Sequence, residues 1–355
     1  MQFIKPGINI NFLGRRKIAF ALSLSMIIVT FLLLIWRGGP NYGVDFSGGV
    51  VVQVKLDSRQ SPDTIREALR PVDLQDSIIQ EFGGEAEDEY LIRVRRTDLQ
   101  LSGLREKVRQ ALEDAFGKGF EIRRVEMVGP KVGEDLRQKA LFAIFYAILF
   151  IAIYISGRFE LKWLMSIVMA LSLAFVVYIA SGMGISITWL ILIALAVTLG
   201  LCWLLNLRYA MGAILALIHD VIITVGAFTI TDREISLAII AAFLTIVGYS
   251  LNDTIVVFDR IRENLGRFRR RSFEEIMNAS INETMSRTLL TSVTTLVVVV
   301  SLFVLGGGVI HDFAFALLVG IIVGTYSSIF IASPILLIWE GKTTSRGNLR
   351  GGSRR

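Results

Sequence analysis

Four strongly polar side chains fall inside apolar stretches of this sequence, at positions where a charge would need a partner or a function. They are His219, Asp220, Asp253 and Arg287. Asp253 lies in the run SLNDTIVVFD, in which apolar residues resume after it and continue to Asp259. A carboxylate at the centre of a membrane helix costs about 3 kcal/mol and faces the interior of a bundle in most known cases. The pattern therefore predicts a functional polar site within a membrane.

Polar companions accompany these residues, several of them at helical spacing, so they would share a helix face with the charged groups. They are Thr224 for Asp220, Ser250 and Asn252 for Asp253, and Thr291, Thr294 and Thr295 for Arg287. The sequence predicts that they line an internal polar seam. It also predicts that Asp253 and Arg287 lie at similar depths and pair with each other.

Proton loading is the chemistry that such a seam would allow. Removal from water favours the neutral form of a carboxylate, whereas a nearby guanidinium favours its charged form, so the acid can take up and release a proton. A static ion pair between Asp253 and Arg287 is the alternative interpretation. A static polar contact is the alternative for Asp220, and ordinary packing for His219. Sodium bound by Asp253, Asn252 and threonine hydroxyls stays open as the coupling ion.

The composition places these residues in a membrane protein. The chain has 355 residues, of which 53% are hydrophobic and 19% charged, and its mean hydropathy is +0.60. Such values with repeated long apolar runs exclude an ordinary soluble domain. The net charge of +6 lies mostly near helix ends, which indicates membrane orientation rather than nucleic-acid binding. The single Cys202 forms no internal disulfide.

The apolar runs predict a polytopic α-helical membrane protein with about eight transmembrane helices. They are Ile18–Trp36, Leu141–Ile155, Trp163–Ser181, Trp189–Leu205, Tyr209–Ile230, Ile235–Phe258, Met285–Leu305 and Phe313–Trp339. The first follows Arg15-Arg16-Lys17 and ends at Trp36-Arg37 without a small-residue cleavage site, so we interpret it as a retained helix rather than a signal peptide.

Between the first two runs, the periodicity changes to that of a small α+β domain. The predicted elements are the strands Val50–Leu56, Ser77–Phe82, Glu89–Val94 and Phe120–Val128 and the helices Pro62–Leu69 and Ser102–Phe116. Their order, βαββαβ, is that of a ferredoxin-like split βαβ unit. We therefore predict a ferredoxin-like domain within residues 38–136.

Charge asymmetry predicts the orientation of the chain. The N-terminus, the segment 259–280 and the tail 341–355 are rich in Lys and Arg, whereas the loops containing GMGIS and GGGVIH on the other side carry neither. Positive residues favour the cytoplasm. The sequence thus predicts a cytoplasmic N-terminus with a first helix in 1–37, an extracytoplasmic domain in 38–136, a membrane bundle in 137–340 and a cytoplasmic basic tail.

Several motifs together resemble the SecF branch of the SecD/SecF family of protein-export membrane proteins, within the resistance-nodulation-division superfamily. They are GVDFSGG at 43–49, the pair His219-Asp220, GYSLNDTIVVFDRIREN at 248–264 and NETMSRTLLTSVTTL at 282–296. The resemblance covers nearly the whole chain. It implies an inner-membrane, multi-pass protein that uses proton motive force to assist export of secreted proteins.

The resemblance also implies particular residues and partners. The membrane acid of the family matches Asp253, its membrane arginine matches Arg287, and the acid after a histidine matches Asp220. Asp45, Phe46, Gly48 and Gly49 match a motif at the base of the extracytoplasmic domain. The implied partners are SecD, the SecYEG translocon, the accessory proteins YajC and YidC, the translocating preprotein and membrane lipid. Neither a cofactor nor nucleic acid is implied.

One segment departs from the family pattern. The family normally has six membrane helices, and residues 162–206 add two more. An ungapped alignment of 161–206 with 207–252 gives eight identities, weak support for a duplicated hairpin, and places Leu173 and Ala174 opposite His219 and Asp220. We predict that this hairpin is a peripheral addition without proton chemistry.

Three other functions compete with the export role. A small-molecule or lipid exporter of the same superfamily would need larger extracytoplasmic domains. An intramembrane aspartyl protease would need its acids in Tyr-Asp and Gly-x-Gly-Asp settings, which are absent, and the sequence shows no nucleotide-binding loop, metal-spaced His/Cys set or Ser/His/Asp grouping. A passive assembly scaffold is the third. The sequence predicts a protein that is not an enzyme.

Overall fold

The computed structural model describes residues 9–74, 77–82, 88–94, 101–160, 163–182, 187–268, 270–306 and 308–339. The chain begins with the long helix α1, Arg16–Arg37, which ends at Gly38 in a left-handed cap. A single helical turn follows, α2, Val44–Ser47. It leads through two glycines into a sheet domain.

The sheet domain contains four strands and two helices. In chain order they are β1 (Gly49–Leu56), α3 (Pro62–Ala68), β2 (Ile78–Phe82), β3 (Glu89–Val94), α4 (Leu101–Phe116) and β4 (Phe120–Val128). The sheet order is β2-β3-β1-β4, and every neighbouring pair is antiparallel. Alternate β1 residues such as Val52 and Val54 are buried against α3 and α4, as expected for a strand with one covered face. The predicted elements are confirmed to within one residue at either end.

Seven further helices follow the sheet domain within the described part of the chain. They are α5 (Pro130–Glu160), α6 (Trp163–Gly182), α7 (Ile187–Leu204), α8 (Arg208–Ile230), α9 (Leu237–Arg267), α10 (Phe273–Leu305) and α11 (Gly308–Ser327). A π-helical turn at Ser328–Ala332 continues α11, and the helix then runs on to Trp339.

Six of the described helices are long and apolar enough to cross a membrane: α1, α5, α8, α9, α10 and the helix from Ile310 to Trp339. The chain is thus a multi-pass membrane protein. The helices α6 and α7 of the predicted extra hairpin are apolar, but their described apolar segments are shorter. Buried residues of the hairpin, including Leu173 and Ala194, pack into the same core as α5 and α8.

Several helices extend further than the hydropathy pattern predicts. The segment 259–280 is helical except for a short connection, since α9 continues to Arg267 and α10 begins at Phe273. Ser272 and Glu275 form a capping box at the start of α10, a sequence signal for this boundary that hydropathy alone misses. The described residues of the basic segment therefore belong mostly to two helical extensions rather than to a long loop.

Candidate functional site

The side chain of Asp220 is the centre of a buried hydrogen-bonded cluster between three helices. Its Oδ2 accepts hydrogen bonds from Ser250 Oγ on α9 at 2.5 Å and from Ser327 Oγ on α11 at 2.8 Å. One turn along α8, Thr224 donates its hydroxyl to the Asp220 carbonyl at 2.7 Å. The carboxyl group thus joins α8 to both α9 and α11.

His219 extends this cluster to the first helix. Its Nδ1 lies 2.9 Å from Asp220 Oδ1, and its Nε2 lies 3.0 Å from Ser23 Oγ on α1. Ser23 Oγ lies 3.1 Å from the Tyr326 hydroxyl, which donates to the Ala19 carbonyl at 2.8 Å. A continuous chain of hydrogen bonds therefore runs from Asp220 to the backbone of α1.

The bonding pattern limits which groups of this chain donate and which accept. A carbonyl only accepts, so the single hydroxyl hydrogen of Tyr326 goes to Ala19, and Ser23 must donate to Tyr326. Ser23 then accepts from His219 Nε2–H. The remaining nitrogen, Nδ1, and Asp220 Oδ1 share one hydrogen between them. The donors thus run from His219 through Ser23 and Tyr326 to the Ala19 carbonyl.

Close packing of α9 and α11 makes the contacts to Asp220 possible. A Cβ atom added to Gly320 would clash with the Ile246 side chain, and one added to Gly324 would lie 2.9 Å from Ser250 Cβ. The two glycines therefore allow α11 to approach α9 closely. Ser327 comes directly before the π-helical turn Ser328–Ala332, and such turns occur frequently at functional sites.

Asp253 lies one helical turn beyond Ser250 on α9 but has very different surroundings. It is 2% exposed, and its Oδ2 has no hydrogen-bond partner among the described residues. It interacts with the Ser292 hydroxyl of α10, and Ser292 lies 2.8 Å from Thr325 Oγ1 on α11. Asp253 is therefore a buried acid with incomplete hydrogen bonding.

The predicted direct ion pair between Asp253 and Arg287 is not formed in this structure. The two side chains, both within the described residues, have no N–O contact within 4.0 Å. Arg287 is exposed and acts on Asp253 only through longer-range Coulombic attraction. The physical reason is helix rotation: Thr288 and Ser292 occupy the buried face of α10, and Arg287 lies about 100° away from Thr288 around the helix.

The other predicted members of the seam are also divided between buried and exposed positions. Ser250 and Thr224 are buried and contact Asp220, whereas Asn252 and Thr294 are exposed. The hydroxyls of Thr291 and Thr294 donate to carbonyls of their own helix, including Leu290 for Thr294 at 2.8 Å. The structure thus brings together His219, Asp220 and Ser250, and places the α10 threonines outside the cluster.

Five hydroxyl residues at the site were not predicted from the sequence. They are Ser23, Ser292, Thr325, Tyr326 and Ser327. The available signal was the hydroxyl run from Thr325 to Ser328 inside the last apolar stretch. Ser23, His219 and Asp220 form a Ser/His/Asp grouping that the sequence did not reveal. Ser23 is buried and bonded to Tyr326, so the grouping is a hydrogen-bonded chain rather than an accessible nucleophile.

The motif at the base of the sheet domain lies between that domain and the membrane helices. Asp45 accepts a hydrogen bond from the backbone nitrogen of Leu237, the first residue of α9, at 2.8 Å. Phe46 is buried among residues of α5, α8 and α9. Gly48 and Gly49 have φ angles of 69° and 122°, which favour glycine, and lead the chain into β1.

Comparison with protein families identifies matching patterns along most of the chain. The profile described as Protein export membrane protein SecD/SecF, C-terminal, matches residues 107–202 and 184–342. The profile described as SecD/SecF GG Motif matches residues 34–58. The second match contains the glycine motif, and the first contains all four charged or titratable site residues.

Curated proteins of similar sequence carry one name. The protein translocase subunit SecF of Magnetococcus marinus is 41% identical over 344 residues, with 96% of this chain and 95% of the relative covered. The SecF subunit of Calditerrivibrio nitroreducens is 40% identical over 342 residues, with coverage of 95% and 96%.

A solved structure of similar fold is SecDF from Thermus thermophilus, described as a translocon-associated membrane protein. It superposes with a TM-score of 0.70 at 30% identity over 94% of this chain and 39% of its own. SecDF in a super-membrane-facing form gives a TM-score of 0.60 at 28% identity, over 99% of this chain and 41% of its own. The chain therefore spans about two fifths of each SecDF polypeptide.

Proposed function

The chain belongs to the SecD/SecF family of protein-export membrane proteins, and on that premise we propose that it is an auxiliary subunit of the Sec translocase. It pairs with SecD and couples the proton motive force to export of preproteins through SecYEG. The observation that carries the coupling is the pair of buried acids, Asp220 on α8 and Asp253 on α9. Ser250, one turn before Asp253 on α9, donates a hydrogen bond to Asp220 and so links the two. The proposed role is transport rather than catalysis.

Proton uptake at these acids would change the packing of the helices around them. Hydrogen bonds to an ionised acceptor are roughly twice as strong as neutral ones, so neutralising Asp220 would weaken the bonds from Ser250 and Ser327. Those two bonds hold α9 and α11 to α8. One proton that crosses 100 mV delivers about 2.3 kcal/mol. This free energy would shift the equilibrium between two packing arrangements of the helices.

Asp253 is the acid that we assign to loading and release. A buried carboxylate with an unpartnered oxygen is costly, so a charge on Asp253 requires compensation by water, by Arg287 or by a proton. A proton taken up from one side of the membrane would remove this cost, and the altered helix packing would release it to the other side. His219 and Asp220 complete the proposed relay.

Gradient-driven export in inverted membrane vesicles tests this function. Vesicles with the wild-type protein should export faster under an imposed pH gradient, and Asp253→Asn should reduce the rate to that without a gradient. Glu263→Gln, which neutralises an exposed acid on the same helix, is the matched control and should behave as wild type. A sodium gradient applied instead distinguishes the coupling ion. Undiminished stimulation in Asp253→Asn would support a passive scaffold.

We also propose the orientation and the partners that the family implies. The chain spans the inner membrane with both termini in the cytoplasm, and the sheet domain lies outside it. The sheet order of this domain supports the ferredoxin-like assignment. YajC, YidC, the preprotein and lipid are the further proposed contacts. Cysteine labelling from each side at Lys118 of the domain and at Glu263 of α9 tests the orientation.

The hairpin of α6 and α7 is proposed to be a duplicated, peripheral unit that brings the total to eight membrane helices. The two matches to the family profile overlap at residues 184–202, as a partly repeated pattern would produce. Leu173, opposite His219 in the repeat, is buried in an apolar cluster. Deletion of 162–206 should leave gradient-driven export largely intact if the shortened protein inserts normally.

A further inference from the structure

Helix α9 receives its N-terminal cap from a residue far away in the sequence. The four first N–H groups of a helix lack partners within it, and the residue at the N-cap position commonly satisfies one of them. Ser236 occupies that position, but its side chain makes no capping bond. Asp45 instead accepts the Leu237 N–H at 2.8 Å. A carboxylate at this place also interacts favourably with the helix dipole.

Backbone hydrogen bonds hold the same two segments together. Gly43 N donates to the Ile235 carbonyl at 2.9 Å, and Ile235 N donates to the Asn41 carbonyl at 2.8 Å. Tyr42 and Ile235 thereby form a parallel bridge. The segment that carries Asp45 is therefore registered against the residues that lead into α9, and the cap forms at a defined position.

The sheet domain is attached to the same place. Arg93 of β3 forms an ion pair with Glu234, two residues before the N-cap of α9, and both side chains are largely buried. Tyr42, in the segment beside this ion pair, is half-buried, and burial raises the pKa of its hydroxyl against the attraction of Arg137. A Cβ atom on Gly48 would lie 2.9 Å from Pro130 Cα, so α2 is also packed against the link from β4 to α5.

Helix α9 extends from this joint to the proposed proton site. Ser250 lies 13 residues beyond Leu237, or about 20 Å along a continuous helix. Ser250 donates to Asp220, and Asp253 follows one turn later. The start of α9 is thus bonded to α2, the residues just before it are paired with the sheet domain through Glu234 and Arg93, and its middle is bonded to Asp220.

We propose that Asp45 is a positioning residue that locks the start of α9 to the sheet domain, so that movement of α9 at the buried acids is transmitted to that domain. The transport consequence of this inference depends on the proposed function, whereas the mechanical link does not. Asp45 acts through a single N–H group. Removing that group alone therefore distinguishes positioning of α9 from a general contribution to stability.

Leu237 offers a variant that removes only the donor. Leu237→Pro deletes the N–H group, and proline is well tolerated at the first position of a helix. Ser236 has φ −104° and ψ 177°, an extended conformation that is compatible with a following proline. The matched control, Leu237→Ala, shortens the same half-exposed side chain but keeps the N–H.

The link is measured first by the distance between spin labels at Lys118→Cys in the domain and Glu263→Cys on α9, with Cys202→Ala as the background. The parent and Leu237→Ala should show one narrow distribution, and Asp45→Ala and Leu237→Pro should both lose it. The double variant should be no worse than either single one, because both remove the same bond. A narrow distribution in Leu237→Pro, or additive effects in the double variant, would overturn the proposal.

Export is measured second in the same variants. Asp45→Ala and Leu237→Pro should each lower the gradient-stimulated rate about fivefold, the factor that corresponds to a typical cap of about 1 kcal/mol. A lower thermal stability with an unchanged distance distribution would reduce Asp45 to a stabilising residue and contradict the proposal. If the parent itself shows no gradient stimulation, the proposed function fails and the distance measurement alone decides the link.

Discussion

The two buried acids of the membrane bundle differ in how completely they are hydrogen-bonded. The Asp220 carboxyl contacts two serine hydroxyls and the His219 ring. Asp253, one helical turn away from Ser250, has an oxygen without a partner among the described residues. Both acids lie on the interior face of their helices and are almost fully buried.

The sequence assigns both acids to one polar seam, but their different hydrogen bonding gives them different roles. A fully satisfied network rigidifies the contact between helices, and its loss is costly because several partners are left unpaired. An incompletely satisfied acid contributes little to such rigidity and responds most to a change of charge. We therefore expect Asp220 to matter for structure and function alike, and Asp253 to matter for function alone.

The largest expected effect is the functional loss in Asp253→Asn without a structural loss. Gradient-stimulated export should fall to the unstimulated rate, whereas the thermal unfolding temperature should stay the same or rise, because the amide removes a potentially charged buried group. Export assays in inverted vesicles and thermal unfolding in detergent measure the two properties. Marked destabilisation of this variant would erase the distinction between the two acids.

Asp220→Asn should lower both the stability of the protein and its export activity. The amide carries no charge, so it cannot accept the stronger hydrogen bonds that an ionised carboxyl accepts from Ser250 and Ser327. The free energy of unfolding should fall by about 1–3 kcal/mol, and export should fall as well. Thr224→Val, which leaves the carboxyl contacts in place, is the control on the same helix. Unchanged stability of Asp220→Asn would argue against the network described above.

A smaller effect is expected at the far end of the histidine chain. Tyr326→Phe removes the donor to the Ala19 carbonyl and the acceptor for Ser23, and should cost about 0.5–1.5 kcal/mol. Its effect should not add to that of Ser23→Ala, because the two groups belong to one chain. Tyr146→Phe, at an exposed position on α5, should be neutral. Full additivity would show that Tyr326 and Ser23 act separately.

The smallest effect is expected on the exposed face of α10, and a substitution on its buried face provides the comparison. Thr294→Val, on the exposed face, should change stability by less than about 0.5 kcal/mol. Ser292→Ala, on the face beside Asp253, should reduce gradient-driven export severalfold and leave Thr325 without its partner. Equal effects of the two substitutions on export would indicate that the exposed face of α10 also belongs to the site.

The sequence predicts the six long membrane helices and the elements of the sheet domain well because hydropathy and side-chain alternation are local properties. Helix ends are less predictable: α9 and α10 run past the apolar segments because amphipathic residues and a capping box extend them. The presence of an acid inside an apolar stretch also indicates that Asp220 and Asp253 each have a partner or a function.

The partners of these acids could not be predicted, because they depend on the rotation of each helix about its axis. Arg287 and Thr288 are neighbours in the sequence, but only Thr288 is on the buried face. Ser23 reaches His219 from a helix almost two hundred residues earlier in the chain. No spacing within one helix reveals such a contact.

Infrared difference spectroscopy of the reconstituted protein tests the central claim most directly. The account predicts a protonated-carboxyl band that changes as the pH is varied, that is absent in Asp253→Asn and that is retained in Glu263→Gln. A titrating band that persists unchanged in Asp253→Asn would contradict the assignment of proton loading to Asp253.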